Sequence, residues 1–347
     1  MTTYADAGVD IELGDDASRV MFEAAKATFL NRAGLVGEVI MPKDDFSGVR
    51  AIDVGALPEG TVMNMGFDGV GTKVEIAERM GRHDTMAYDL FAMVCDDAVV
   101  YGGEPVLIGS ILDVNSLSLD AVKGLAKGYI EAAKAARVAV VNGEIAELGS
   151  RVSGFGDFNY NWGASVVWFA QKDKLLTGED IQVGDKVVTF KEKGFRSNGL
   201  SLLRKILEDN YGENWHEAEL SGQKIGDLAL EPSKIYCAAV WDMLQKLEIH
   251  GVAHITGGGI PGKLGRVLAR AGLGAKLTDL FEPCQLMKHV IELGGVARDE
   301  AFRTWNMGNG MVVIVKPGQE EEVVSIASEH GIETKVCGEV TDGEITF

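Results

Sequence analysis

Apolar and polar positions alternate along this chain in blocks that read as strands and helices in turn. The run TVMNMGF, within the stretch from Asp53 to Asp68, predicts a strand that feeds a glycine-containing loop, DGVGTK. From Asp84 to Tyr101 apolar residues recur at helical spacing, at Leu90, Met93, Val94 and Ala98. GGEP then ends that helix, because glycine takes a left-handed cap and proline follows it. VLIGSIL predicts a strand, residues 119–136 an amphipathic helix, and VAVV a buried strand. GASVVWFA and KVVTF predict strands joined by a polar turn, which places a domain change between Gln171 and Gly184. Beyond it, residues 198–210 and 233–247 read as helices, and HGVAHIT as a strand entering a GGG cluster. MVVIVK, residues 318–330 and IETKVCGEV read as a strand–helix–strand unit. This alternation predicts an α/β (α+β) protein with domains at 1–170 and 171–347.

Composition narrows the function more than the fold. Fifty-two acidic against 33 basic residues give a formal charge of −19, a field that repels nucleic-acid backbones and anionic lipid. A small phosphorylated substrate stays compatible, since a local cation reverses the sign of the potential inside a pocket. Forty-four glycines in 347 residues exceed the usual share of about 7%, and many fall at strand ends, where backbone approaches ligands or turns tightly. Cys95, Cys237, Cys284 and Cys337 form no CxxC pair or zinc spacing and fit a reducing compartment. No basic, apolar leader opens the sequence and no run of 18 apolar residues interrupts it, so the expectation is a cytoplasmic protein.

Several segments carry candidate chemistry. In Asp68-Gly69-Val70-Gly71-Thr72-Lys73 the acid can hold a divalent cation, the glycines let amides crowd phosphate oxygens, and Lys73 can neutralise phosphate charge; a turn with a surface lysine explains the same residues. Neither this loop nor Gly257-Gly258-Gly259-Ile260-Pro261-Gly262-Lys263-Leu264 satisfies a Walker loop, since Lys and Thr are reversed in the first and Leu264 replaces the hydroxyl in the second. Thr256-Gly257-Gly258-Gly259 ahead of a helix can still cradle a phosphate, or serve as a strand-to-helix turn. Asp89 and Asp96 fall two helical turns apart on one face, with Asp97 beside them, as magnesium acids or as a solvated face. Glu144, after VAVVNG, is a further metal candidate. His254 can donate to phosphate or move a proton, or be a satisfied core histidine; Arg303 and Asn306 in FRTWNMGNGM can orient an anion.

The ordered segments YADAGVDI, DGVGTK, RHDT, DLFAMVCDDAVVYGGEP, NGEIAE, SNGLSLLRKIL, VAHITGGGIPGKLGRVL and FRTWNMGNGM resemble, nearly end to end, the aminoimidazole ribonucleotide synthetase (phosphoribosylformylglycinamidine cyclo-ligase) family. The resemblance implies an amino-terminal domain that binds ATP and magnesium and whose sheet pairs with its twin in a homodimer. It implies a carboxy-terminal domain beside the active cleft, and an ATP-dependent ring closure in purine synthesis on a phosphorylated small molecule. By the same carry-over, ATP falls to Asp68, Gly69, Gly71, Thr72, Lys73 and Asn198, and metal to Asp68, Asp97 and Glu144. Substrate falls to Thr256, Gly257, Gly258, Arg303 and Asn306, with Lys73, His254 and Arg196 in catalytic roles.

The departures from the family pattern sit in ligand-facing motifs. Asp96-Asp97 stands where Asn-Asp is common, and Arg196-Ser197-Asn198-Gly199 where His-Ser-Asn-Gly is usual. Ile145 lacks the hydroxyl that follows the metal acid, Asn161-Trp162-Gly163-Ala164 replaces an acidic element, and a glycine-rich loop is reduced to Asp45-Phe46-Ser47-Gly48. Arg196 offers a charged, planar fork, so the expectation is a phosphate grip whose loss spares folding. These departures keep two alternatives open: another ATP-dependent phosphotransferase or synthetase of the superfamily, and a nucleotide-binding regulator without turnover.

Overall fold

The structure, a computed structural model, describes residues 11–42 and 48–347; most of YADAGVDI and the Asp45–Ser47 part of the reduced loop lie outside them. Two compact units form. The first comprises the described residues up to Cys95 with Pro105–Lys172, and the second Asp96–Glu104 with Asp173–Phe347. The chain therefore passes between units at three points, where the sequence pattern suggested one cut at 170/171. The end of one helix and the turn after it make their contacts with the second unit, for reasons that lie in Asp96.

The first unit opens with α1 (Ile11–Ala27), a small ladder of β1 (Val39–Ile40) and β2 (Ala51–Ile52), and β3 (Thr61–Gly69). Then come α2 (Val74–Met80), α3 (Met86–Val99), β4 (Glu104–Val114), α4 (Leu119–Ala136), β5 (Ala139–Glu147) and β6 (Tyr160–Gln171). The four long strands lie in the order β3-β6-β4-β5, with β3 antiparallel to β6 and β4 parallel to β5. Strand alternation divides the faces. Val106, Ile108, Leu112 and Val114 of β4 are buried, while Ile111 between them is exposed. Helices cover the buried face: Tyr129 of α4 meets Phe91 of α3 edge-on at 5.2 Å, lies 5.5 Å from Trp162 of β6 and hydrogen-bonds Ser110 at 2.8 Å. The opposite face exposes Met63, Met65 and Phe67 of β3 and, two strands away, Ile111 of β4. Ser118 caps α4 by accepting from the Ala121 amide, and Arg137 ends it in the left-handed region. The segment after α1 closes the edge strand: Thr28 Oγ1 accepts from the Val140 amide at 2.8 Å and Asn31 Nδ2 donates to the Val138 carbonyl at 3.0 Å.

The second unit runs β7 (Lys186–Lys191), α5 (Leu200–Tyr211), a short hairpin of β8 (Glu219–Leu220) and β9 (Gln223–Lys224), α6 (Ile225–Ala229) and α7 (Cys237–Lys246). It continues with β10 (Ile249–His254), α8 (Gly259–Leu268), β11 (Gly274–Leu277), α9 (Gln285–Gly294), α10 (Arg298–Thr304), β12 (Asn309–Val315), α11 (Glu320–Glu329) and β13 (Thr334–Thr341). Its sheet has the order β10-β12-β7-β13-β11, each neighbouring pair antiparallel. The strand–helix–strand reading of β12, α11 and β13 needs one change. Both strands flank β7, so the unit is a split βαβ with a strand inserted between its members. β12 is buried along its whole length, as its apolar run MVVIV requires. Among the described residues, no helix is long and apolar enough to cross a membrane.

Candidate active site

In the first unit β3 delivers Asp68 to an open edge. Gly69 is fixed by its neighbour: an added Cβ would lie 3.0 Å from the Trp162 carbonyl, which also accepts from the Val70 amide at 3.0 Å. Gly71 takes φ 67° and opens a single 3-10 turn, leaving Asp68, Gly71 and Thr72 exposed. That turn carries Lys73 the other way. Its Nζ lies 2.8 Å from Asp89 Oδ1 with both side chains wholly buried, so the lysine neutralises a core carboxylate instead of projecting from the loop. The expectation of Lys73 reaching outward to a phosphate is corrected on this point.

A cavity of about 720 Å³ is lined by Asp68, Asp113, Asn142, Glu144 and Asn161, among others. The sheet register keeps its acids apart. Asp68 pairs with Ala164 on the helix-covered face of one edge strand, whereas Glu144 pairs with exposed Ile111 on the opposite face of the other edge strand. Three strand spacings separate them by roughly 14 Å. Those two expected metal acids are therefore not gathered within the first unit, and among the described residues no group of three His, Cys, Asp or Glu that could hold a metal ion is found. Asp97 belongs to the second unit.

In the second unit the loops that end β7 and β10 bring predicted residues together. Gly199 at φ 73° starts α5 and Gly258 at φ 95° starts α8, so two glycines stand where the free amides of helix N-termini begin. The loops adjoin: a Cβ at Gly257 would lie 3.7 Å from Asn198 Nδ2. Trp305 seats this arrangement, donating Nε1–H to the Gly199 carbonyl at 3.0 Å. Gly257 and Gly258 are exposed and Thr256 is buried beside them. Ser197 Oγ and Asn198 Oδ1 are buried without a hydrogen-bond partner among the described residues, an arrangement that suits a polar ligand.

Beneath the loops lies a charged cluster. Arg196, 1% exposed and at φ 59°, donates through Nη1 to Glu192 and to the Lys234 carbonyl, each at 2.8 Å. Its Nη2 donates to Asp96 Oδ2 at 3.0 Å and to His254 Nε2 at 2.7 Å. Asp96 Oδ1 accepts from the Tyr236 and Cys237 amides at the start of α7, both at 2.8 Å, which binds the end of α3 to the second unit. His254 Nδ1 lies 2.7 Å from Asp97 Oδ1. Burial works against the Arg196 charge, and the carboxylates of Glu192 and Asp96 more than offset it, raising its pKa. Asp97 is held below the usual carboxylate range: burial pushes it up, and the His254 hydrogen bond with the charges of Lys263 and Arg196 outweighs that.

Three expectations change here. Arg196 is a buried structural cation, so removing it would not spare folding. Asp89 and Asp96, read as one acidic face, each answer a different buried cation. Asn306 is buried in a turn, donating to the Gly194 carbonyl and accepting from the Gly308 amide, where Met307 and Gly308 take φ 50° and 85°. Both ends of its amide are thus engaged in the loop that it supports. Arg303 is exposed on the last turn of α10. The sequence does not single out Glu192, because an acid in KEKG reads as surface.

Residues 45–160 match the N-terminal domain of AIR synthase related proteins and residues 182–347 their C-terminal domain, so fold and loops place the chain in that two-domain class. It is 37% identical to the phosphoribosylformylglycinamidine cyclo-ligase of Carboxydothermus hydrogenoformans, over 99% of this chain and 97% of that one. Its identity to the enzyme of the same name from Thermococcus kodakarensis is 35%, over 95% and 93%. The chain belongs to the phosphoribosylformylglycinamidine cyclo-ligase family. Its fold is similar to that of the hydrogenase maturation protein HypE in complex with ATP, with TM-score 0.60, 14% identity and coverage of 87% and 80%.

Proposed function

We propose that this protein closes the imidazole ring of purine synthesis. It would convert 2-formamido-N1-(5-phospho-D-ribosyl)acetamidine and ATP to 5-amino-1-(5-phospho-D-ribosyl)imidazole, ADP and phosphate. The observation that carries this reading is the 37% identity to a cyclo-ligase across nearly the whole of both chains. ATP phosphorylates the formyl oxygen, the amidine nitrogen attacks the activated carbon, and phosphate leaves with that oxygen. The protein's task is alignment and charge compensation, with no side-chain nucleophile required.

The nucleotide is assigned to the first unit, 1–170 in outline, at Asp68, Gly69, Gly71 and Thr72. The open turn after β3 supports this, since its exposed glycine leaves amides free for phosphate oxygens. Magnesium fits as an ion carried chiefly by the nucleotide, for which one or two carboxylates suffice. It would neutralise phosphate charge, and Asp68 is the acid offered there. The phosphorylated substrate is assigned to the second unit, 171–347 in outline. Thr256, Gly257, Gly258 and Asn198 support this with two helix N-termini and unpartnered polar atoms.

The exposed apolar face of the first sheet supports a homodimer in which Met63, Met65, Phe67 and Ile111 are covered by a second copy. The decisive assay mixes protein, ATP, magnesium and the formylglycinamidine ribonucleotide, and follows ADP and aminoimidazole ribonucleotide together. Equal formation of both is expected. ADP without the aminoimidazole, or neither product, would overturn the assignment.

A further inference from the structure

The two terminal nitrogens of Arg196 have no hydrogen left for a ligand. Nη1 serves Glu192 and the Lys234 carbonyl, Nη2 serves Asp96 and His254, and Nε is buried without a partner. Two carboxylates already more than match its charge. A guanidinium only donates, so His254 Nε2 must accept, and the ring proton is left on Nδ1, facing Asp97 Oδ1 at 2.7 Å. Of these groups Asp97 reaches solvent furthest, with half its side chain exposed, whereas Arg196, Asp96, Glu192 and His254 are all but closed off.

We propose that Arg196 and Asp96 form a positioning pair, which acts through His254 to fix the tautomer of the imidazole and the orientation of Asp97. Asp96 holds Arg196 against the first turn of α7, Arg196 holds Nε2, and the Nδ1 proton holds Asp97 in one rotamer. The fork matters as much as the charge. Lysine, with a single ammonium on a flexible stem, cannot hold Glu192, Asp96 and His254 at their separate positions. The inference rests on the proposed reaction only in taking the surroundings of Asp97 as the place where its orientation counts.

The test has two readouts. Proton–nitrogen correlation spectra of histidine-labelled full-length protein, with the His254 signal among six histidines identified by its loss in His254→Gln, should show the proton on Nδ1. A wild-type proton on Nε2 overturns the proposal, whatever the activity. Arg196→Lys should disturb that pattern and lower kcat by about tenfold or more, the scale of a lost charged hydrogen bond, while KM for the phosphorylated substrate changes little. An Arg196→Lys protein with the wild-type pattern and kcat, or one in which only KM rises, overturns it as well. Should that variant fail to fold, the wild-type spectrum still decides. Absence of cyclisation by wild-type protein would count against the reaction and leave the tautomer measurement intact.

Discussion

Arg196 donates to Asp96 across 3.0 Å, although 100 positions separate them, and both belong to motifs in which the sequence departs from the pattern it resembles. Two departures that look independent along the chain are one cation and one anion in the same buried place. They balance each other, which lets a motif change twice without a net change in buried charge.

Removing one partner should therefore cost far more than removing both. Arg196→Gln would leave Glu192 and Asp96 buried without their cation, at a cost of about 3–5 kcal/mol. Joint replacement, Arg196→His with Asp96→Asn, should recover much of that loss. Urea midpoints at an unchanged slope check this. Additive losses in the double variant would show that the two charges are not coupled.

Lys73 and Asp89 make the same argument in the first unit. Lys73→Met should lower stability by about 3–5 kcal/mol, because it removes the cation 2.8 Å from a buried carboxylate. Asp89→Asn with Lys73→Met should be milder. Titration calorimetry with ATP on the folded fraction should find an affinity within about threefold of wild type, less than about 1 kcal/mol; a larger loss would return the lysine to the phosphate loop.

The glycines of the second-unit loop separate into two kinds. Gly259, at φ 58°, has no room for a methyl group, which would collide with the Phe302 carbonyl, so Gly259→Ala should destabilise by about 1–3 kcal/mol or more. At Gly257 the nearest atom is Asn198 Nδ2 at 3.7 Å. Gly257→Ala should keep the melting temperature yet weaken capture of the phosphorylated substrate. Thermal scans beside KM measurements distinguish them, and equal effects at both sites would refute the cradle.

Asp97 sets a sign for acid behaviour. Its folded pKa is lowered, so its contribution is complete above the unfolded carboxylate value, about 3.9, and is lost as pH falls through the folded one. The stability difference between wild type and Asp97→Asn should hold from neutral pH to about pH 4 and shrink below it. Chemical denaturation across that range measures it; a difference that widened on acidification would contradict the assignment.

The apolar row on β3 tests assembly. Phe67 is 73% exposed in the single chain, so Phe67→Asp should leave its folding intact and abolish a dimer formed on that face. Sedimentation velocity should show two chains for wild type and one for the variant. A wild-type monomer at micromolar concentration would remove this face as an interface.

Which blocks become strands and helices is written in local periodicity: α4 spans residues 119–136 as its pattern predicts, and β3 runs into the Asp68 loop. The ordered motifs likewise identify the family, whereas the approach of Asn198, which the resemblance gives to ATP, to Gly257 of the substrate loop is seen only in the fold. Partnership was decided by the tertiary structure. Lys73 reads as a loop cation until a single turn sends it inward to Asp89, and Arg196 reads as a phosphate grip until Asp96 and Glu192 enclose it. Asp68 and Glu144 share a chemistry but occupy opposite faces and edges of one sheet, a matter of register and strand order. The physical reason is common to all three. The charge and hydrogen-bonding capacity of a side chain are written in its identity, whereas what satisfies them depends on residues brought close by long-range folding.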